Sequence, residues 1–192
     1  MPKTQYYTAT TIDGYIADAD NSLDWLFEVD SAREDASGVT PFARFFAGVG
    51  AFAMGATTYS WVLEHDQLLT DPAKWESYYG DVPSWVFTHR SLPPIPGAAV
   101  SFVQGDVRPV HEAMTAAAGG RNIWVVGGGE LAGAFADAGL LDEIILGVAP
   151  VTLGAGAPLL PRRLSSRRLS LSAVERRGEF AYLTYAVGQA PA

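Results

Sequence analysis

The sequence predicts an α/β fold: a mostly parallel, mixed sheet with helices on both faces and a C-terminal antiparallel hairpin. Three observations carry this expectation. The first is Asn122-Ile123-Trp124-Val125-Val126-Gly127-Gly128-Gly129-Glu130, a continuous apolar run that ends in three glycines. Such a run suits a strand covered on both faces. Leu131, Ala132, Phe135 and Ala136 then recur at helical spacing, and Gly139 stands where a C-terminal cap is expected. The second observation is that further strand-like runs alternate with helix-period segments, as in a sheet with crossover helices. The third is the ending, where residues 169–174 and 180–187 alternate around Arg176-Arg177-Gly178 and read as a hairpin.

Taken in order, residues 3–12 are rich in Thr, Tyr and Ala and form the expected first strand. Asp13-Gly14 is a turn pair, residues 15–17 resume a strand briefly, and 18–22 are a polar loop. A short helix is expected over 23–29, with Trp25 and Phe27 as core or pocket wall. Phe42, Phe45 and Phe46 mark a helix over 41–47. Residues 49–54 are a second buried strand, ended by Gly55. The next helix covers 57–64, with Tyr59, Val62 and Leu63 on one face. Residues 66–83 read as a polar surface excursion that carries Trp75, Tyr78 and Tyr79. Strands are expected at 84–88 and 99–103, on either side of the Pro93-Pro94-Ile95-Pro96-Gly97 loop. Asp106 is a candidate cap for a helix with Val110, Ala113, Met114 and Ala117 inward and His111 on its outer part. The strand at 123–126 and another at 141–148 precede a proline- and glycine-rich loop over 150–158. One domain of ordinary size accommodates all 192 residues.

Composition narrows the function classes. Hydrophobic residues make up 48%, and no apolar run is long enough to span a bilayer. The start, Met1-Pro2-Lys3-Thr4, lacks the apolar segment of a signal peptide. There is no cysteine, which agrees with a cytoplasmic location and removes thiol chemistry. His65, His89 and His111 show no metal-ligand spacing, so no metal site is expected. The net charge of −8 argues against nucleic-acid binding, which depends on phosphate neutralisation.

The candidate site lies at the carboxyl ends of the strands, where open α/β sheets bind ligands. Gly127, Gly128 and Gly129 separate a strand from a helix. There, backbone N–H groups can approach a ligand free of Cβ interference, and the helix N-terminus favours a phosphate. A tight turn with close packing is the alternative reading of the triplet. Gly55-Ala56-Thr57-Thr58 is a second strand-to-helix junction, and Thr88-His89-Arg90 ends a third strand.

Five segments in this order make the chain resemble the dihydrofolate reductase superfamily. They are Thr11-Ile12-Asp13-Gly14-Tyr15-Ile16-Ala17, Met54-Gly55-Ala56-Thr57-Thr58-Tyr59, Val86-Phe87-Thr88, Val125-Val126-Gly127-Gly128-Gly129-Glu130-Leu131 and Pro150-Val151-Thr152-Leu153-Gly154-Ala155-Gly156. The chain is more similar to the reductase domain in the C-terminal half of bifunctional riboflavin-biosynthesis deaminase-reductases. The resemblance implies a dihydrofolate reductase-like fold, NADPH as hydride donor and a small heterocycle as acceptor. The acceptor it implies is a pyrimidine such as 5-amino-6-(5-phosphoribosylamino)uracil, or a pterin-like ring.

By position, Gly127, Gly128, Gly129, Glu130 and Leu131 would hold the cofactor pyrophosphate, and Gly55, Thr57 and Thr58 would meet it from the second junction. Thr88, His89 and Arg90 would lie near the ribose 2′-phosphate. Thr8, Ala9, Ile16 and Ala17 would line the nicotinamide pocket. Leu23 and Trp25 would stand on the loop over the nicotinamide and face the substrate. Two positions depart from dihydrofolate reductases. Ala56 stands where they usually carry a basic residue. The proton-assisting carboxylate falls to Asp30, with Glu28 as rival. A homodimer is the expected assembly, from the family and from Phe180, Tyr182, Leu183 and Tyr185 on the hairpin. The competing function is a nicotinamide-cofactor-binding protein without efficient catalysis. Arg162, Arg163, Arg167, Arg168, Arg176 and Arg177 would either protect the edge hairpin or receive a substrate phosphate.

Overall fold

A computed structural model describes residues 2–29 and 39–188. The first strand, β1 (Thr4–Thr11), turns at Asp13-Gly14 into the short β2 (Tyr15–Ala17). Helices α1 (Asp24–Glu28) and α2 (Pro41–Phe46) precede β3 (Val49–Gly55). The start of α2 follows from its sequence: the Thr40 hydroxyl accepts from the Ala43 amide, and Pro41 occupies the first turn. Then come α3 (Ala56–His65), α4 (Ala73–Tyr79), β4 (Ser84–Phe87) and β5 (Val100–Val103). Asp106 caps α5 (Val107–Ala117) by accepting from the Arg108 amide at 3.0 Å. Next are β6 (Asn122–Gly127), α6 (Gly129–Asp137), β7 (Glu143–Ala149) and β8 (Ala157–Pro158). The hairpin β9 (Leu169–Arg177) and β10 (Phe180–Val187) closes the described chain.

The sheet order is β5-β4-β3-β6-β1-β7-β10-β9. Pairing is parallel from β5 through β7, while β10 and β9 join antiparallel. This is the mixed, mostly parallel sheet that the sequence predicts. A small antiparallel pair, β2 with β8, stands beside it. Among the described residues, no helix is long and apolar enough to cross a membrane.

Both faces are covered. On one, β1, β3 and β6 pack through Tyr6, Ala51, Ala53 and Val125 against Met114 of α5 and Phe135 of α6. On the other, Phe52, Met54 and Trp124 meet Tyr59 of α3 and Trp75 of α4. The segment expected as a surface excursion is therefore part of the core. Leu68 is fully buried and Trp75 is 1% exposed. Trp75 and Tyr79 stand one helical turn apart on α4, with ring centroids 5.8 and 5.2 Å from that of Phe52. Burying two large rings outweighs the polar residues between them, which point to water.

Two further expectations change. On α5 the inner face is Val107, Val110 and Met114, continued by the C-cap Ala118, whereas Ala113 and Ala117 are exposed. His111 lies on the flank of that face, half-buried, with its Nε2 2.8 Å from the Thr4 hydroxyl. On the hairpin, Phe180 is buried with Trp25, Val29 and Ala149. The exposed apolar side chains there are Leu171 and Val174 of β9.

Candidate active site

Because β3, β6, β1 and β7 run parallel, their carboxyl ends gather on one edge of the sheet. A cleft of about 1040 Å³ opens there. At one end, α3 and α6 begin directly after the adjacent strands β3 and β6, so two helix N-termini converge. The N-cap residues are Gly55 and Gly128, and neither helix has a side-chain cap. First-turn N–H groups are thus left for an external acceptor, and the helix dipoles favour an anion.

The glycine triplet has two duties. A Cβ on Gly128 would meet nothing closer than Ile16 Cδ1 at 3.9 Å, so this position is open to the cleft. The Gly127–Gly128 peptide is cis. A Cβ on Gly129 would collide with the carbonyl oxygens of Pro158 and Leu159, so this glycine serves close packing. Glu130, in the first turn of α6, pairs with Arg162 at 2.9 Å, and Arg162 also binds Asp137 at 2.7 Å.

The other end of the cleft is aromatic. Tyr7, Phe27, Phe42, Trp61, Phe180 and Tyr182 contribute to its wall. Tyr7 stacks on Phe45 with centroids 4.3 Å apart. His65 stacks on Phe27 at 5.2 Å and on Trp61 at 4.3 Å, which ties α1 to α3 at the rim. The strand register sets Ala9, Gly147 and Tyr182 abreast. Burial pushes the Tyr7 phenol far above its ordinary value, and the neighbouring Tyr182 adds to the shift. Burial also raises Tyr182, against the opposing influence of Tyr7 and Arg177. Arg177 is ion-paired with Glu175 at 2.7 Å. Both phenols therefore stay neutral at neutral pH and can donate or accept a hydrogen bond.

A family model for the RibD C-terminal domain matches residues 2–182. The chain belongs to the RibD C-terminal domain family. It is 32% identical over 189 residues to the uncharacterized protein YwjB of Bacillus subtilis (strain 168), covering 95% of this chain and 97% of that one. Among solved structures it is similar to a Shewanella sp. PV-4 protein whose name places it in riboflavin biosynthesis. Identity is 25% and the TM-score 0.74, over 97% and 99% of the two chains. Dihydrofolate reductase from Enterococcus faecalis, solved with NADP(H), shares the fold at 13% identity and a TM-score of 0.52, covering 96% of each chain.

Within this RibD-type domain, most residues singled out from the sequence meet in the cleft. Thr8, Ala9, Ile16, Ala17, Leu23, Gly55, Thr57, Thr58, Gly127, Gly128, Gly129, Glu130 and Leu131 all line it. Trp25 does not. It is 5% exposed and packs with Val29, Ala149 and Phe180, while its neighbours Leu26 and Phe27 contribute to the wall. The short helix α1 turns successive side chains in different directions, so only some of them can face the cleft. Thr88, His89 and Arg90 also lie outside the wall, which Phe87 reaches. They form a turn in which the Thr88 hydroxyl accepts from the Arg90 amide at 2.9 Å and donates to the Arg90 carbonyl at 3.0 Å. Strand β3 stands between β4 and β6 and sets this turn back from the Gly127-Gly128-Gly129 junction. Asp30 lies outside the described residues, and its rival Glu28 is exposed and away from the wall.

Asp13 has a structural role. Its carboxylate accepts from the Thr11 hydroxyl and from the amides of Leu153 at 3.0 Å and Gly154 at 2.7 Å. These bonds hold its carboxyl below the usual range. They also fix the loop that carries Ala157 and Pro158 to the cleft. Sequence reasoning missed Tyr7, Phe42, Trp61 and Gly147 as wall residues. Their aromatic or apolar character is equally that of core, and only the register of distant strands sets them apart. Among the described residues, no group of three His, Cys, Asp or Glu side chains is placed to hold a metal.

Proposed function

We propose that the protein is an NADPH-dependent oxidoreductase that reduces a small heterocycle. The observation that carries this reading is the division of one cleft into a phosphate-suited end, with two uncapped helix N-termini, and an aromatic end. Membership of the RibD C-terminal domain family supports it. NADPH would supply the hydride. Gly55, Thr57, Thr58, Gly127, Gly128 and the first turn of α6 would hold its phosphates. Thr8, Ala9, Ile16 and Ala17 would line the nicotinamide side. Arg90, exposed at the end of β4, would reach the ribose 2′-phosphate. The walls orient the two reactants and exclude water.

The test is to incubate the protein with NADPH and a panel of pyrimidine, pterin and related acceptors while following absorbance of the reduced nicotinamide. Acceptor-dependent oxidation is expected. Tight NADPH binding with no oxidation across the panel would favour a cofactor-binding protein without efficient catalysis. Homodimerisation through the β9 edge, where Leu171 and Val174 are exposed, belongs to the same reading. Light scattering at micromolar concentration should return twice the chain mass.

A further inference from the structure

Glu130 stands where a cofactor phosphate is expected, and a carboxylate repels a phosphate. It lines the cleft in the first turn of α6, directly after the N-terminus that no side chain caps. Its charge suits the helix by itself, because the N-terminal end of the dipole attracts an anion. The same charge competes with a pyrophosphate for that dipole and for the first-turn N–H groups.

Arg162 meets this charge from outside the cleft wall. Its Nη1 lies 2.9 Å from Glu130 Oε2, and its Nε lies 2.7 Å from Asp137 Oδ2. Glu130, Gly133 and Asp137 follow the i, i+3, i+7 spacing of one helix face. The arginine stem lies along that face: a Cβ on Gly133 would stand 2.9 Å from its Cγ and 3.0 Å from its Nε. Glycine weakens a helix interior relative to alanine, and the side chain packed on Gly133 accounts for its place there. The segment that carries Arg162 is anchored to the sheet independently of α6. Leu159 donates from its amide to the Gly14 carbonyl at 2.8 Å and accepts from the Tyr6 hydroxyl at 2.9 Å. An exposed ion pair contributes little alone. Here one guanidinium bridges two carboxylates and is only 28% exposed, so it is held in one place.

We propose that Arg162 is a positioning residue for the cofactor. It holds the Glu130 carboxylate on the flank of α6 and neutralises it, which leaves the first-turn N–H groups to the NADPH pyrophosphate. This rests on the reductase reading above, in which that turn meets the pyrophosphate. Without the arginine, an uncompensated carboxylate would face two phosphates in a cleft, where charges are screened less than in open water.

The experiment is calorimetric titration of NADP+ into the whole protein, without acceptor, for wild type and variants. Arg162→Gln keeps a stem over Gly133 and removes the charge. It is expected to weaken NADP+ binding about five- to tenfold, and the gap to wild type should narrow as salt is raised. Glu130→Gln in that background should restore affinity to within about twofold of wild type, since the repelling charge is gone. Asp137→Asn in the same background is the control. It removes an equal charge about 10 Å further along the helix, so affinity should stay low. Glu130→Gln alone, which keeps the assay decisive if Arg162→Gln fails to fold, should tighten NADP+ binding.

Unaltered affinity in a folded Arg162→Gln overturns the proposal. Rescue by neither second change overturns it as well, because Arg162 then only ties its loop to α6. Equal rescue by both makes the effect one of net charge and also overturns it, as does weaker binding by Glu130→Gln alone. The reductase reading fails separately. Intact rescue with no NADPH oxidation across the acceptor panel would sink that reading alone. NADP+ binding with failed rescue would sink this inference alone, and no binding of NADP+ or NADPH by the wild type would sink both.

Discussion

The ring of Tyr182 lies against Gly147, where a Cβ would stand 3.3 Å from the nearest ring atom. Gly147 pairs with Ala9 on one side and Tyr182 on the other, so its bare backbone lets the ring lean over the sheet at the aromatic end of the cleft. Gly147→Ala is expected to force the ring off its rotamer at a cost of about 0.5–1.5 kcal/mol. Steady-state kinetics should then show the acceptor KM raised roughly three- to tenfold, with the KM for NADPH nearly unchanged. An unaltered acceptor KM would remove Tyr182 from the acceptor site.

Adjacent glycines should fail in different ways. Gly128→Ala meets only Ile16 Cδ1 at 3.9 Å, so its melting temperature should stay near that of the wild type while cofactor affinity falls. Gly129→Ala drives a methyl into the Pro158 and Leu159 carbonyls. It should destabilise the fold by about 1–3 kcal/mol, roughly 2–4 °C of Tm for each kcal/mol in a chain of this size. Paired thermal melts and NADPH titrations separate the two effects. The reverse assignment of losses would refute the division of duties.

Arg90 tests the cofactor preference. The side chain is exposed, and a guanidinium offers a fork of donors to a 2′-phosphate. Arg90→Ala should weaken NADPH binding about ten- to a hundredfold, from the ~1.5–3 kcal/mol of a charge-assisted contact. NADH binding should hardly change, and the salt sensitivity of NADPH binding should fall. Equal losses for both cofactors would place Arg90 outside the 2′-phosphate site.

His111 should make stability depend on pH. Burial lowers its pKa from the ordinary 6.5, although Asp142 and Glu112 oppose the shift. The unfolded chain therefore binds the proton more readily than the folded one. The contribution is fully present above pH 6.5 and is lost as pH falls from there through the lower folded value. Chemical denaturation across that window should show wild-type stability declining faster than that of His111→Gln, in which no imidazole titrates. Parallel declines would show that other groups account for the slope.

The strand–helix alternation, both glycine junctions and the terminal hairpin were legible in the chain, because each is written in consecutive residues. Apolar runs, 3.6-residue spacing and glycines between elements act locally, and the parallel sheet then puts the junctions on one edge. That is why the phosphate-suited end, Gly55 to Thr58 with Gly127 to Leu131, is readable from the chain itself. Trp75 and Trp25 were not legible in this way. An aromatic side chain gives by itself no local sign of whether it faces core, cleft or water, and both proved to be core. The aromatic end of the cleft was decided by tertiary structure alone. Ala9, Gly147 and Tyr182 are far apart in sequence and become neighbours only through the register of β1, β7 and β10. A one-residue slip in any of those strands would turn its side chains to the opposite face and dismantle that wall.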